Sequence, residues 1–356
     1  MWLEKWIPRI SGHGAQRGNQ RDQVLGSQSG GTYRVNPSPR SLTRRASRCS
    51  NVDPHTRHFY LNPIRKDQMS SSFKATLLAL LLPLSVSGQT TTPKDDSVPQ
   101  SGVIAANGIR LHYLDWGGTG EAVLFISGVG DGARYFDEMA RTLTDRFRVL
   151  ALTRRGYGKS DKPETGYDVP TLTEDVRQFL DAMKLTHVNL IGHSAGGHEM
   201  IQFASVYPER TRKLVFLDAA YDRREAAAIF DADPLLDRTL PTAPTLRQRI
   251  EAEFFREMDV YEISYEKIKA PALSFYAIGE QHPSLKSTMD DSTKAKAQAF
   301  TLLSAQPYQF RNIERFQREV KNGEVVVLRG TNHYFFEDPK QKDAVFAQIR
   351  TFLLRR

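Results

Sequence analysis

Cysteine is almost missing from this chain of 356 residues: there is one, Cys49, and none follows it. Beyond that point a disulfide framework and a thiolate metal site are both excluded. Long apolar runs are scarce as well. The run from Ala75 to Val86 falls short of the roughly 20 apolar residues that span a bilayer. Net charge is missing from most of the chain. The formal charge is +8, and residues 1–68 hold 12 Lys+Arg against 4 Asp+Glu, which accounts for all of it. The remainder carries 37 of each sign. An electrically balanced body has no basic face for a phosphate backbone, so a nucleic-acid partner is not expected.

Residues 1–68 are rich in Arg, Ser, Gly, Asn and Gln and lack a sustained apolar period, a composition that predicts a disordered leader. A second start follows. Met69 to Lys74 ends in a basic residue, Ala75 to Val86 is a short apolar run, and Ser87-Gly88-Gln89 supplies small residues. In that order these are the three regions of an export signal. Such a signal works only at an N-terminus, so Met69 is expected to be the initiator and residues 1–68 an over-extended reading of the gene. No cysteine follows the apolar run, which argues against a lipid anchor. The expected product is exported, periplasmic or extracellular, without stable membrane insertion.

From residue 102 the pattern changes. Val103 to Ala105 and Ile109 to Trp116 alternate as two antiparallel strands, with Asn107-Gly108 as their turn. Ala122 to Ile126 is continuously apolar, as a buried central strand is, and feeds a glycine-rich loop, Ser127 to Gly132. Tyr135, Phe136, Met139 and Leu143 predict a helix, and Arg148 to Leu152 a strand that opens into a polar loop from Thr153 to Pro163. Thr171-Leu-Thr-Glu174 reads as a capping box that starts the next helix. Further on, Leu214 to Leu217, Pro271 to Ile278 and Glu324 to Leu328 read as strands. Residues 222–269, broken at Pro241 and Pro244, and Ala295 to Phe316 read as helical, and Asp338-Pro339 as the start of a last helix. Buried strands alternating with amphipathic helices imply a mostly parallel, doubly wound α/β sheet.

The most informative stretch is Val188 to Gly197, Val-Asn-Leu-Ile-Gly-His-Ser-Ala-Gly-Gly. A short apolar run is followed by a serine among small residues, then by an amphipathic segment that stops at Pro208. That is strand, sharp turn and helix, and Gly192-His193-Ser194-Ala195-Gly196 fits the Gly-x-Ser-x-Gly nucleophile elbow. Glycines there let strand and helix approach closely while the serine takes a strained backbone. Ser194, Asp218 and His333 each stand just past the carboxyl end of a predicted strand, where open α/β sheets bind ligands. His193 and His198 flank the serine without forming a metal-ligand cluster.

These motifs resemble the α/β-hydrolase fold family over residues 102–356. The likeness rests on Gly192 to Gly197, on Arg155-Gly-Tyr-Gly-Lys-Ser160-Asp161, on the loop after Phe125-Ile126, on Asn332-His333, and on the order Ser…acid…His. It implies Ser194 as nucleophile and His333 as general base. Most relatives carry the acid as Gly-x-x-Asp after the strand spanning Pro271 to Ile278, but here the sequence is Gly279-Glu280-Gln281-His282. Some branches place the acid one strand earlier, where Asp218 stands. Asp218 is favoured, Glu280 is the alternative, and Asp222 is a third candidate. The backbone N–H groups of Ala195 and Val129 are the expected oxyanion donors, although the usual His-Gly is Ser127-Gly128 here. Arg155, Ser160 and Asp161 are expected to brace their loop.

The resemblance therefore implies a serine hydrolase acting on a small or medium carboxylic ester through an acyl-enzyme, with no cofactor and no metal. Perhydrolase or acyl-transfer chemistry with the same triad, or a non-catalytic ligand-binding protein of the same fold, are the alternatives. The domain reading is a leader (1–68), a signal-like segment (69–88), a linker (89–101) and a core (102–221 and 269–356) interrupted by a helical cap (222–268). In the cap Phe254, Phe255, Tyr261 and Tyr265 wall an apolar pocket or pack between cap and core. N-terminal sequencing of the exported protein tests the leader: cleavage after Ser87 or Gly88 is expected, and a mature start near residue 1 would overturn the reading.

Overall fold

The computed structural model describes residues 98–355; the leader, the signal-like segment and most of the linker lie outside them. Eight strands form one sheet. They are β1 (Gln100–Ala106), β2 (Ile109–Gly117), β3 (Glu121–Ile126), β4 (Phe147–Leu152), β5 (Val188–His193), β6 (Thr211–Leu217), β7 (Ala272–Ile278) and β8 (Gly323–Arg329). Their order is β1-β2-β4-β3-β5-β6-β7-β8. The β1–β2 and β2–β4 pairs are antiparallel, and every pair from β4 to β8 is parallel. The hairpin closes through Asn107 and Gly108 at φ +49° and +75°, the primed turn that the right-handed twist of two strands favours.

The sheet is buried on both faces because its side chains alternate between two apolar clusters. Leu124 and Ile126 of β3, Leu190 of β5 and Phe216 of β6 join one cluster. Val123, Phe125, Ile191 and Val215 join the other. Helices α2 (Val169–Ala182), α3 (Gly196–Val206) and α7 (Gln306–Glu319) cover the first face. Helices α1 (Asp137–Arg141) and α8 (Lys342–Leu354) cover the second. After β3 the chain turns to one face and after β5 to the other. Their carboxyl ends therefore flank an open crevice, the place where this sheet type binds ligands.

Between β6 and β7 lie α4 (Arg223–Asp231) and α5 (Leu246–Val260). Thr245 caps α5 with a reciprocal capping box to Gln248. The α5 residues Ile250, Phe254 and Met258 pack in a third cluster with Val129 and Ala195. Tyr265 packs instead against Phe316 in the first cluster, with ring centroids 5.4 Å apart.

Two sequence expectations need correction. Helix α2 begins at Val169, before the expected capping box. Its cap is Asp168, whose carboxylate accepts from the Thr171 N–H at 2.9 Å, and Pro170 occupies the first turn, where no amide donor is needed. Glu174 is turned instead to Arg177 and Gln178. The last helix begins at Lys342, not at Asp338, which accepts from the Lys340 N–H and closes a turn. The region around residue 300 is helical but not uniform: α6 (Asp291–Phe300) passes through a π turn (Thr301–Ala305) into α7. Pro307 explains the irregularity, since it has no N–H to continue the α ladder.

The polar loop after β4 is braced as its residues suggested. Arg155 makes a two-pronged pair with Asp175 at 2.6 and 2.5 Å, both buried, and Asn107 Nδ2 donates to the same carboxylate at 2.9 Å. Ser160 Oγ donates to the Thr153 carbonyl at 2.6 Å, and Asp161 pairs with Arg110 at the surface. Removing one partner of a buried ion pair leaves the other charge stranded. Asp175→Ala is therefore expected to destabilise the protein by about 3–5 kcal/mol in urea unfolding. Arg110→Ala, at an exposed pair, should leave the midpoint essentially unmoved.

Candidate active site

Ser194 stands at the tip of the turn between β5 and α3 with φ +54°, and its N–H donates to the Leu217 carbonyl at 3.2 Å. A non-glycine residue in the left-handed region stores strain of roughly 1–3 kcal/mol. The surrounding contacts hold it there. A Cβ at Gly192 would lie 2.2 Å from Met200 Sδ, one at Gly196 2.7 Å from the Ile126 carbonyl oxygen, and one at Gly197 1.9 Å from the Ala219 carbonyl oxygen. At Gly196 and Gly197 the obstacle is backbone, so the turn is pinned between the end of β3 and the loop after β6.

Asp218 follows β6 and is also left-handed, at φ +48°. Its Oδ1 accepts from the Ala277 N–H at 3.0 Å and from the Tyr221 hydroxyl at 2.5 Å. Its Oδ2 lies 2.6 Å from Nδ1 of His333. A carboxylate held by two other donors can only accept, so Nδ1 of His333 carries the proton and Nε2 is left with the basic lone pair. Burial and the adjacent Asp218 charge push the Tyr221 hydroxyl far above its ordinary value, which keeps it a donor.

His193, next to the serine, ties this pair to the elbow. Its Nε2 donates to the His333 carbonyl at 3.2 Å, and the two rings lie 4.4 Å apart. Burial, with His333 adding to it, holds His193 below its ordinary value and therefore neutral. Its Nδ1 is 3.3 Å from Asp131 Oδ2 on the loop after β3, without the alignment of a hydrogen bond. Tyr135, Tyr334 and Phe336 surround the ring.

The loop after β3 approaches closely. A Cβ at Gly128 would lie 3.0 Å from Ser194 Cβ. Arg154 Nη1 donates to the Gly128 carbonyl at 3.2 Å. That carbonyl shares its planar trans peptide with the Val129 N–H, which must point the opposite way. Val129 and Ala195 are both buried beneath α5.

The other acid candidates are placed differently. Glu280 is exposed. His282, where relatives carry the aspartate, turns its Nε2 to both oxygens of Asp233 at 3.1 Å. Asp222 caps α4 and pairs with Arg224 and Arg315. Sequence reasoning missed Tyr221, Asp131 and Arg154. The Asp-Ala-Ala-Tyr spacing and the double arginine were visible, but nothing local showed where those side chains turn.

A doubly wound sheet with a strained serine in the turn after its fifth strand defines the α/β-hydrolase class. A family model for the alpha/beta hydrolase fold matches residues 121–335, and the chain belongs to that family. Among curated proteins it is similar to 2-(acetamidomethylene)succinate hydrolase of Mesorhizobium japonicum, 34% identical over 116 residues. That match covers 32% of this chain and 42% of the relative. A non-heme chloroperoxidase of Streptomyces lividans is 38% identical over 120 residues, 33% of this chain and 44% of that protein. The matched stretches thus span less than half of each relative. Among solved structures, the enol-lactonase from Burkholderia xenovorans LB400 superposes with a TM-score of 0.53 at 21% identity, over 71% of this chain and 100% of that one. The esterase from Exiguobacterium antarcticum gives 0.53 at 19% identity, over 71% of this chain and 100% of that one. These two likenesses are of fold.

One titration follows from the site. His198, in α3, is pushed down to about 3, by burial first and by the Arg223 and Arg154 charges. In the unfolded chain it takes a proton near its ordinary value of about 6.5, so its contribution to stability is present above that pH and lost as pH falls below it. His193 acts in the same direction. Unfolding free energy is expected to fall from about pH 6.5 to about pH 5, and His198→Gln to flatten that slope by about one proton. An unchanged slope in pH-dependent urea unfolding would contradict a neutral buried His198.

Proposed function

We propose that the protein is a serine hydrolase that cleaves small or medium carboxylic esters through an acyl-enzyme, with Ser194, His333 and Asp218 as its triad. The observation that carries this reading is the 2.6 Å contact between His333 Nδ1 and Asp218 Oδ2 beside a serine at φ +54°. A serine hydroxyl is too weak an acid to attack unaided. In this reading His333 Nε2 takes its proton as Oγ attacks the ester carbonyl. The imidazolium that forms is stabilised by Asp218, and it returns the proton to the leaving alcohol. Water then enters by the same route and releases the acid. The N–H groups of Ala195 and Val129 meet the negative oxygen of each tetrahedral intermediate, and the Arg154 hold on Gly128 keeps the second donor aimed. Membership of the family and the similarity to hydrolases support the class of reaction. The neutral charge of the body and the small α4–α5 insertion suit a small-molecule substrate.

A fluorophosphonate probe is expected to label the wild type and not Ser194→Ala. No labelling of folded wild-type protein would favour a ligand-binding role over catalysis. Asp218→Asn is expected to lower kcat on a p-nitrophenyl ester by about 10⁴-fold, because the wrong imidazole tautomer is then held, whereas Glu280→Gln should stay near wild type. The reverse ranking would overturn the assignment of the acid.

A further inference from the structure

Strand β6 stops at Leu217, while its neighbour β7 runs on to Ile278. The register pairs Leu217 with Phe275, and the Asp218 N–H donates to the Phe275 carbonyl at 2.9 Å. In a parallel pair, residues two apart face the same neighbour, so the next groups on that side of β7 are the N–H and carbonyl of Ala277. Ala277 is buried and has no strand opposite it there, so both groups need other partners. The N–H is taken by Asp218 Oδ1 at 3.0 Å. The carbonyl is taken by Nε2 of Gln309, in α7, at 2.9 Å.

The same two side chains meet again at Tyr221. Its hydroxyl lies 2.5 Å from Asp218 Oδ1, and Gln309 Nε2 reaches the phenol oxygen in a longer contact of 3.5 Å. The Ala277 carbonyl only accepts, which fixes the Gln309 amide with its nitrogen inward. That nitrogen has only hydrogens to offer, so the single hydroxyl hydrogen of Tyr221 goes to Asp218. The Tyr221 ring is itself held, stacked on Tyr308 at 5.7 Å and edge-on to Tyr276 at 5.3 Å. Asp218 therefore divides its oxygens: Oδ1 takes two donors from the scaffold, and Oδ2 faces His333 Nδ1 at 2.6 Å.

Resting on the serine-hydrolase reading, we infer that Tyr221 and Gln309 are positioning residues for the triad acid. They fix the plane of the Asp218 carboxylate and draw its charge towards Oδ1, which sets how strongly Oδ2 favours a cation on His333. Removing the hydroxyl returns that charge to the carboxylate and favours the imidazolium, so the acid limb of kcat/KM moves to higher pH. The other ionisable groups against the pair are His193 from the elbow, Tyr334 beside His333, and Tyr276 behind Tyr221. Burial keeps each of them neutral, holding the histidine down and the tyrosines up. Asp131 stands one ring further out, beside His193.

The test is the pH dependence of p-nitrophenyl acetate hydrolysis. Tyr221→Phe keeps the ring between Tyr276 and Tyr308 and loses only the hydroxyl. It is expected to lower kcat by about three- to tenfold, the scale of one hydrogen bond, with KM little changed. Its acid limb is expected to rise by about half a pH unit. Gln309→Met should move the limb the same way by less, and should move it no further when added to Tyr221→Phe. Tyr308→Phe is the control for loosened packing. Its hydroxyl donates to the Asp222 carbonyl at 2.9 Å, away from the acid, so the limb should stay in place. An unmoved or lowered limb in folded Tyr221→Phe, or an equal rise in Tyr308→Phe, would overturn the inference and leave the serine-hydrolase reading standing. If Tyr221→Phe does not fold, an unmoved limb in Gln309→Met overturns it. Absence of turnover and of fluorophosphonate labelling in the wild type would overturn the two together.

Discussion

Backbone meets backbone at the elbow, and the geometry of the site follows from that contact. Gly196 lies against the Ile126 carbonyl and Gly197 against the Ala219 carbonyl, each closer than a Cβ allows. The first contact fixes the start of α3 to the end of β3, where the glycine-rich loop begins. The second fixes it to the loop after β6, where Asp218 stands. Three chain segments far apart in sequence are therefore locked at one point, with Ser194 between them. The strain of two left-handed non-glycine residues, Ser194 and Asp218, is held by the hydrogen bonds of the parallel strands on either side.

Two adjacent arginines carry the site's supports in different directions. Arg155 reaches to Asp175 in α2, and Arg154 to Glu199 in α3. Burying such charges is costly, and apolar replacements of similar size are often no less stable. What the pairs supply is placement. The first anchors the polar loop to the helix that precedes the elbow strand. The second anchors the same loop to the helix that follows it, and through Gly128 orients the peptide nearest the serine.

His193 shows how a residue beside the elbow serine can brace its surroundings by position alone. Its ring is fully buried, parallel to Tyr135 and packed against Tyr334 and the edge-on Phe336, and it holds the His333 carbonyl. His333 itself is partly exposed and hangs on a loop after the edge strand β8. Two contacts, one to its ring from Asp218 and one to its backbone from His193, replace the rigidity that a loop lacks.

Much of this was legible in the residues. The continuous apolar strands, the Asn107-Gly108 turn and the elbow depend on local periodicity and on glycines, which act within a few residues. Ser194 and the doubly wound sheet follow from them. The helix starts at Val169 and Lys342 were misplaced because Asp168 caps the first helix ahead of Thr171, while Asp338 closes a turn before the second instead of opening it. For the partner of His333 the sequence favoured Asp218 but kept Glu280 as the alternative and Asp222 as a third candidate, since Asp218 and Glu280 both follow strands at the correct edge. That choice belongs to the tertiary structure. Asp218 is aimed by its left-handed backbone and by donors from Ala277 and Tyr221, while the chain after β7 turns His282 to Asp233 and leaves Glu280 exposed. A carboxylate's neighbours are decided by contacts across 115 residues, and no local rule of sequence encodes them.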